Sequence, residues 1–201
     1  MFSYYPYKDS CTGYVLMEFI DGVDIDTYLS EYREFDTTIF DNPSPDDIFI
    51  QLVNAFRYIE EHQIVHRDIR ERNIMVDKVG VAKVIDFGIG KISDPTHTDD
   101  SLIGNINRAA SDTLPLEYYL GEYTSLTDMF YLAELLNRLM VTSPHADEMN
   151  FSYQEILDKM MKKDSSERYH SFAEVKDAIG KHDFTSLDIP DEDTVILEVR
   201  G

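Results

Sequence analysis

The sequence predicts an α+β fold, mainly helical, with a strand pair at its N-terminal end and a short hairpin in its first half. Three observations carry this expectation. Phe49, Leu52, Val53, Phe56 and Ile59 recur at helical spacing and form one apolar stripe. Residues 126–140 are apolar nearly all round, which puts a helix in the middle of a core. Two pairs of short apolar runs, 2–7 with 14–19 and 74–77 with 81–85, are each separated by turn-forming residues.

The elements follow in order. The first strand pair flanks Lys8-Asp9-Ser10-Cys11-Thr12-Gly13, and Asp21-Gly22 ends its second strand. Ser44-Pro45-Asp46-Asp47 opens a helix over 45–62: a capping serine, proline at the first helical position and an acid three residues after the cap. The hairpin turns at Lys78-Val79-Gly80. The central helix carries Met129, Phe130, Leu132, Ala133, Leu135, Leu136, Leu139 and Met140. Ser152 with Glu155 and Ser171 with Glu174 read as capping boxes that start two more helices. An acidic stretch over 188–193 then leads to residues 194–199, which alternate like a strand. There is no internal repeat and no low-complexity segment.

Composition narrows the function. The 201 residues, 43% of them apolar and 12% aromatic, suffice for one domain with a substantial core. No run approaches the ~20 apolar residues of a membrane span, and the first residues lack the pattern of a signal peptide. The single cysteine, Cys11, leaves no internal disulfide and fits a reducing, cytoplasmic location. A formal charge of -21 argues against nucleic acid as a partner, because a polyanion is repelled. The same charge reads either as solubility or as attraction for basic substrates.

The chemistry concentrates in His66-Arg67-Asp68-Ile69-Arg70-Glu71-Arg72-Asn73 and, after the hairpin, Asp86-Phe87-Gly88. Moving a γ-phosphoryl group from ATP is mostly positioning and charge neutralisation. A carboxylate must take or orient the acceptor's hydroxyl proton, and Asp68 suits that role. Mg²⁺ is hard and prefers oxygen donors, so Asn73 and Asp86 suit it. Arg70, two residues after the base, supplies positive charge near the transferred group. Asp-Phe-Gly alone carries little information; the whole set at this spacing is specific.

These motifs resemble those of the protein kinase family, in its eukaryotic-like Ser/Thr form, over residues 14–181. The resemblance implies a protein-kinase-like fold: a residual small-lobe strand pair over 1–19, the helical large lobe with its catalytic-loop hairpin over 20–181, and an acidic tail over 182–201. It makes Tyr14-Val15-Leu16-Met17-Glu18-Phe19-Ile20-Asp21-Gly22 the strand and hinge between lobes. Met17 is then the gatekeeper, Glu18, Phe19 and Ile20 face adenine, Asp24 faces the ribose, and Met75 also belongs to the nucleotide site. The cofactors implied are ATP and Mg²⁺, and the acceptor is a protein substrate. His66 and Phe87 become packing residues in a column between lobes.

The resemblance continues downstream. The aperiodic stretch from Asp86 to Glu117 resembles an activation segment, which Arg67 would hold through a phosphorylated Thr96, Thr98 or Ser101, or through the charge of Asp99 and Asp100. Its end, Leu114-Pro115-Leu116-Glu117, departs from the usual Ala-Pro-Glu by one place, with Glu117 in register. Glu117 is expected to pair with Arg168, and Asp128 to lie buried beneath the catalytic loop, satisfied by backbone donors.

No glycine-rich loop and no strand lysine that grips the phosphates can be placed in the sequence. The expectation is therefore a truncated kinase, weak or inactive alone, that a partner completing the small lobe could assist. A catalytically silent interaction module is the alternative. A small-molecule phosphotransferase is the third reading, disfavoured by the Glu117–Arg168 pair and the long segment.

Overall fold

A computed structural model describes residues 3–6, 13–32, 43–87, 91–92 and 114–186. Its first feature is an antiparallel ribbon of β1 (Ser3–Pro6) and β2 (Gly13–Leu16), with Ser3 opposite Leu16 and Pro6 opposite Gly13. The strands are shorter than expected, and the turn at 8–12 lies outside the described residues.

Asp21-Gly22 does not simply end a strand. Gly22–Asp24 forms β3, which pairs antiparallel with β5 (Ile74–Asp77), and β5 pairs in turn with β6 (Ala82–Val84). A Cβ at position 22 would overlap the Val76 carbonyl, so glycine is demanded by the close approach of two strands some fifty residues apart. Asp24 then caps α1 (Ile25–Glu31), its Oδ1 accepting from the Thr27 N–H at 2.9 Å. This helix is too short for the sequence pattern to reveal, yet Ile25 and Leu29 are fully buried.

The first long helix, α2 (Pro45–Glu61), starts as expected, with Ser44 and Asp47 exchanging both capping bonds. Its stripe is buried from Phe49 to Ile59. It also fixes the hairpin: Gln51 donates to the Gly80 carbonyl at 3.0 Å and accepts from the Ala82 N–H at 2.8 Å. After α2 comes β4 (Ile64–Val65), which pairs with β7 (Lys91–Ile92). The catalytic-motif residues then enter a 3₁₀ turn, Glu71–Asn73, directly before β5.

Further along the chain lie α3 (Leu116–Leu120), α4 (Ser125–Thr142), α5 (Gln154–Met160) and α6 (Phe172–Ser186). Helix α4 is the centre of the core, buried on nearly every side, as its composition requires. Gly121 ends α3 in the left-handed region, φ 70°. The two expected capping boxes fare differently. Glu174 N–H does donate to Ser171 Oγ at 3.2 Å, but the Glu174 carboxylate turns to the His170 N–H instead. Ser152 caps nothing: Tyr153 precedes α5 without a side-chain cap, and the Ser152 N–H is taken by Asp46 of α2 at 2.9 Å. A long-range carboxylate outcompetes the local box there. Residues 187–201, with the acidic stretch and the expected strand, lie outside the described residues.

Candidate active site

The residues 66–73 form a loop between β4 and β5 that the core holds from below. Asp128, one turn into α4, accepts from the backbone N–H groups of His66 at 2.7 Å and Arg67 at 3.0 Å. Burial pushes its carboxyl up to about 7, while those two N–H groups and the Tyr123 hydroxyl pull the other way. Arg67 sits in the left-handed region at φ 70°, a conformation that costs a bulky residue about 1–2 kcal/mol. The bond to Asp128 fixes it there. The Arg67 guanidinium lies 5.8 Å over the Tyr123 ring. Its expected phosphorylated partners Thr96, Thr98 and Ser101, and the neighbouring Asp99 and Asp100, lie outside the described residues.

His66 is fully buried and bridges the two motif segments. Its Nε2 meets the Ile85 carbonyl at 3.0 Å, and its Nδ1 faces the Asp68 N–H at 3.3 Å. One contact needs a donor and the other an acceptor, which suits the neutral ring. Burial lowers its pKa in the same sense. The ring lies 4.7 Å from Phe87 and 6.2 Å from Phe56, which stacks at 5.4 Å on Phe172. The expected packing column therefore exists and reaches down to α6.

Asp68 is 2% exposed. Its Oδ2 accepts from Asn73 Nδ2 at 2.8 Å and from Arg70 at 3.0 Å. Asn73 Nδ2 also donates to the Asp68 carbonyl at 2.8 Å, so the amide is locked with its NH₂ on Asp68 and its carbonyl oxygen turned away. Asp68 Oδ1 has no hydrogen-bond partner among the described residues. A buried carboxylate oxygen without a partner is costly unless a ligand completes it. Asp86 is joined to this group through the backbone: the Ile85 N–H donates to the Asn73 carbonyl at 2.9 Å. Asp86 itself is exposed, at φ 65°, a second strained non-glycine residue beside the loop.

The structure thus brings Asp68, Arg70, Asn73 and Asp86 together, with Met75 two residues along β5, opposite Asp24 on one side and Lys83 on the other. Met17, Glu18, Phe19 and Ile20 are less enclosed. Met17 is 44% and Phe19 87% exposed, and the segment meets the hairpin through an ion pair from Lys83 to Glu18 at 2.5 Å. Lys83, which also reaches Asp77 at 3.4 Å, was not anticipated from the sequence; only its place one strand over from Met75 could have suggested it.

The expected anchor of the activation-segment end is present. Arg168, 1% exposed, meets Glu117 at 2.5 and 3.1 Å. Its remaining N–H groups donate to the carbonyls of Lys162, Leu126 and Lys163. All five donors are used, the condition under which a buried ion pair holds.

The family model described as Protein kinase domain matches residues 3–181, most of the chain. The chain belongs to the protein kinase family. Among its relatives, the probable serine/threonine-protein kinase MARK-C of Dictyostelium discoideum is 30% identical over 114 residues, 57% of this chain and 14% of its own length. Serine/threonine-protein kinase PrkC of Bacillus subtilis is 30% identical over 130 residues, 63% of this chain and 18% of its length. The putative serine/threonine-protein kinase B of Trypanosoma brucei brucei is 27% identical over 133 residues, 63% of this chain and 29% of its length. The matched part of the kinase chain therefore spans less than a third of these relatives. No helix among the described residues is long and apolar enough to cross a membrane.

Proposed function

We propose that the chain carries the catalytic centre of an ATP-dependent kinase acting on Ser or Thr hydroxyls of a protein substrate. One observation carries this reading: Asp68 is buried, fixed through Oδ2 by Asn73 and Arg70, and presents an Oδ1 that no described group engages. That oxygen can accept the proton of an incoming hydroxyl. Arg70, half exposed, keeps positive charge beside it. The Asn73 amide oxygen and the Asp86 carboxylate are the hard donors that Mg²⁺ takes, and two protein ligands suffice where phosphates and water complete the shell. Bound Mg²⁺ would neutralise phosphate charge. Among the described residues no cluster of three or more His, Cys, Asp or Glu is placed to hold a metal.

Adenine would lie against the backbone of Glu18 to Ile20, with Met17 and Met75 beside it. Asp24 already caps α1 with Oδ1, so a ribose contact falls to its Oδ2. The 201 residues contain no glycine-rich loop and no strand lysine to clamp the phosphates. Losing a single preorganised donor commonly costs about 10²–10³ in rate, so this chain alone binds Mg-ATP weakly and transfers slowly or not at all. Small-lobe elements supplied in cis or by a partner would restore the rate.

The test measures phosphate incorporation into protein acceptors by the chain alone and by the chain fused to a small lobe with glycine-rich loop and lysine. The fusion should be active, and Asp68→Asn should lower its turnover by about 10²–10⁴ without changing its unfolding midpoint. Transfer that survives Asp68→Asn, or a well-folded fusion that never transfers, would overturn the proposal; the second result would favour a catalytically silent module.

A further inference from the structure

We propose that Arg72 selects the acceptor by binding an anionic side chain, a carboxylate or a phosphate ester, close to the hydroxyl that Asp68 deprotonates. The proposal rests on the kinase reading above.

A 3₁₀ turn has three residues per revolution, so the side chains of Glu71, Arg72 and Asn73 leave it about 120° apart. Two of those directions are taken. Asn73 points inward to Asp68 at 2.8 Å, and Glu71 points to α4, meeting Arg138 at 2.7 Å. Arg72 takes the third and is exposed. It stands one residue from the amide that holds the base.

Arg72 is also without a partner among the described residues. Arg57, Arg70, Arg138 and Arg168 each pair with a carboxylate, and Arg67 lies over Tyr123. Among the described arginines, Arg72 makes no hydrogen bond, ion pair or ring contact with any described residue. The chain has 39 acidic side chains and 18 Lys and Arg. Carboxylates outnumber cations two to one in the chain, yet Arg72 meets none among the described residues. Its neighbour Arg70 is 44% exposed beyond its bond to Asp68. The loop that carries the base thus exposes two arginines, and a guanidinium fork matches carboxylate or phosphate in two parallel bonds. The net charge of -21 repels anions at long range, but salt screens that field beyond ~8 Å. The recognition is therefore short-ranged and local, opposite in sign to the surface around it.

The experiment uses the full 201-residue chain at 150 mM salt, about physiological, without nucleotide. Fluorescence anisotropy follows three serine peptides: one flanked by glutamates, one with a neighbouring phosphoserine, and one flanked by lysines. The glutamate and phosphoserine peptides should bind, and Arg72→Glu should weaken them by about tenfold or more, the worth of a charged hydrogen bond. Lys176→Glu, the same charge change at an exposed site on α6, should weaken them less than twofold. Loss confined to the phosphoserine peptide would assign the site to phosphate esters; loss of both assigns it to anions generally. Equal losses in the two variants, or no binding of either anionic peptide, would overturn the proposal. In the active fusion, Arg72→Glu should shift the kcat/KM preference from acidic toward basic acceptors. Transfer without any Arg72-dependent preference would sink this inference and leave the kinase reading standing. Arg72-dependent binding in a fusion that never transfers would count against the kinase reading alone.

Discussion

The loop over 66–73 and the segment over 16–20 both border the proposed nucleotide site, yet they are held in opposite ways. The loop is buried and over-determined: Asp128 takes two of its N–H groups, Asn73 locks Asp68, and His66 ties it to Ile85. The other segment leaves Leu16 62%, Met17 44% and Phe19 87% exposed and meets the hairpin through an exposed ion pair. Phe87, 37% exposed at the top of the aromatic column, marks the border between them. The difference teaches where preorganisation resides. The groups proposed to act on the acceptor are buried and held from the helical core, whereas the segment proposed to lie against the nucleotide leaves its apolar side chains exposed.

By that contrast, the largest loss of stability comes from the helical side. Arg168→Ala leaves Glu117 buried without its partner and should cost about 3–5 kcal/mol, read as a drop in the urea midpoint. Glu117→Gln with Arg168→Met should cost less than Arg168→Ala alone. A cost near zero for Arg168→Ala would show that the segment's end is not anchored as described.

Asp128→Asn comes next. An amide offers one acceptor oxygen where the carboxylate offers two, so one of the two loop N–H groups loses its bond. The expected cost is about 1–3 kcal/mol, and the freed loop should make kinase turnover fall further than stability does. Equal activity in a folded Asp128→Asn fusion would break the link between α4 and the base.

A smaller effect is pH-dependent. Burial depresses the pKa of His66, so the folded chain prefers the neutral ring while the unfolded chain protonates near 6.5. The stability that His66 contributes is full above that value and is lost as pH falls through it toward the folded value. Asp128 runs in the opposite sense. Its carboxyl, raised to about 7, takes up a proton in the fold before the unfolded chain does, so its contribution is largest in acid and is lost as pH climbs through that value. Comparing wild type with His66→Gln isolates the first: the advantage of wild type should shrink between pH 7 and 5. A constant difference would mean that His66 titrates normally. The smallest effect should be Lys83→Ala, which cuts an exposed pair and should leave the urea midpoint unchanged. A clear drop would show that residues 16–20 belong to the same cooperative unit as the loop.

What the sequence revealed and what it hid follow from range. Helices α2 and α4 were legible because burial writes a stripe or an all-apolar run into consecutive residues. The Asp68–Asn73 pair and the Glu117–Arg168 bridge were legible through their family spacing. Strand β3 was not, because its partner lies some fifty residues on and Gly22 looks like a break until Val76 is beside it. Helix α1 is not legible because seven residues give too few repeats for a period, and its cap, Asp24, stands at a position that the family resemblance assigns to the ribose. Ser152 failed as a cap because Asp46 reached its N–H from another helix. Lys83 and the unpaired Arg72 carry no local signal at all; each matters only through what stands, or fails to stand, across from it.

The amide of Gln51 has a further consequence. The three-stranded sheet runs in the order β3-β5-β6, so β6 is an edge. An edge offers its free backbone donors and acceptors to any passing extended chain. Gln51 takes one donor of that edge, accepting from the Ala82 N–H, and donates to the Gly80 carbonyl in the turn before it. The helix thereby occupies the start of that edge, and an extended chain arriving there would have to displace Gln51 before it could pair.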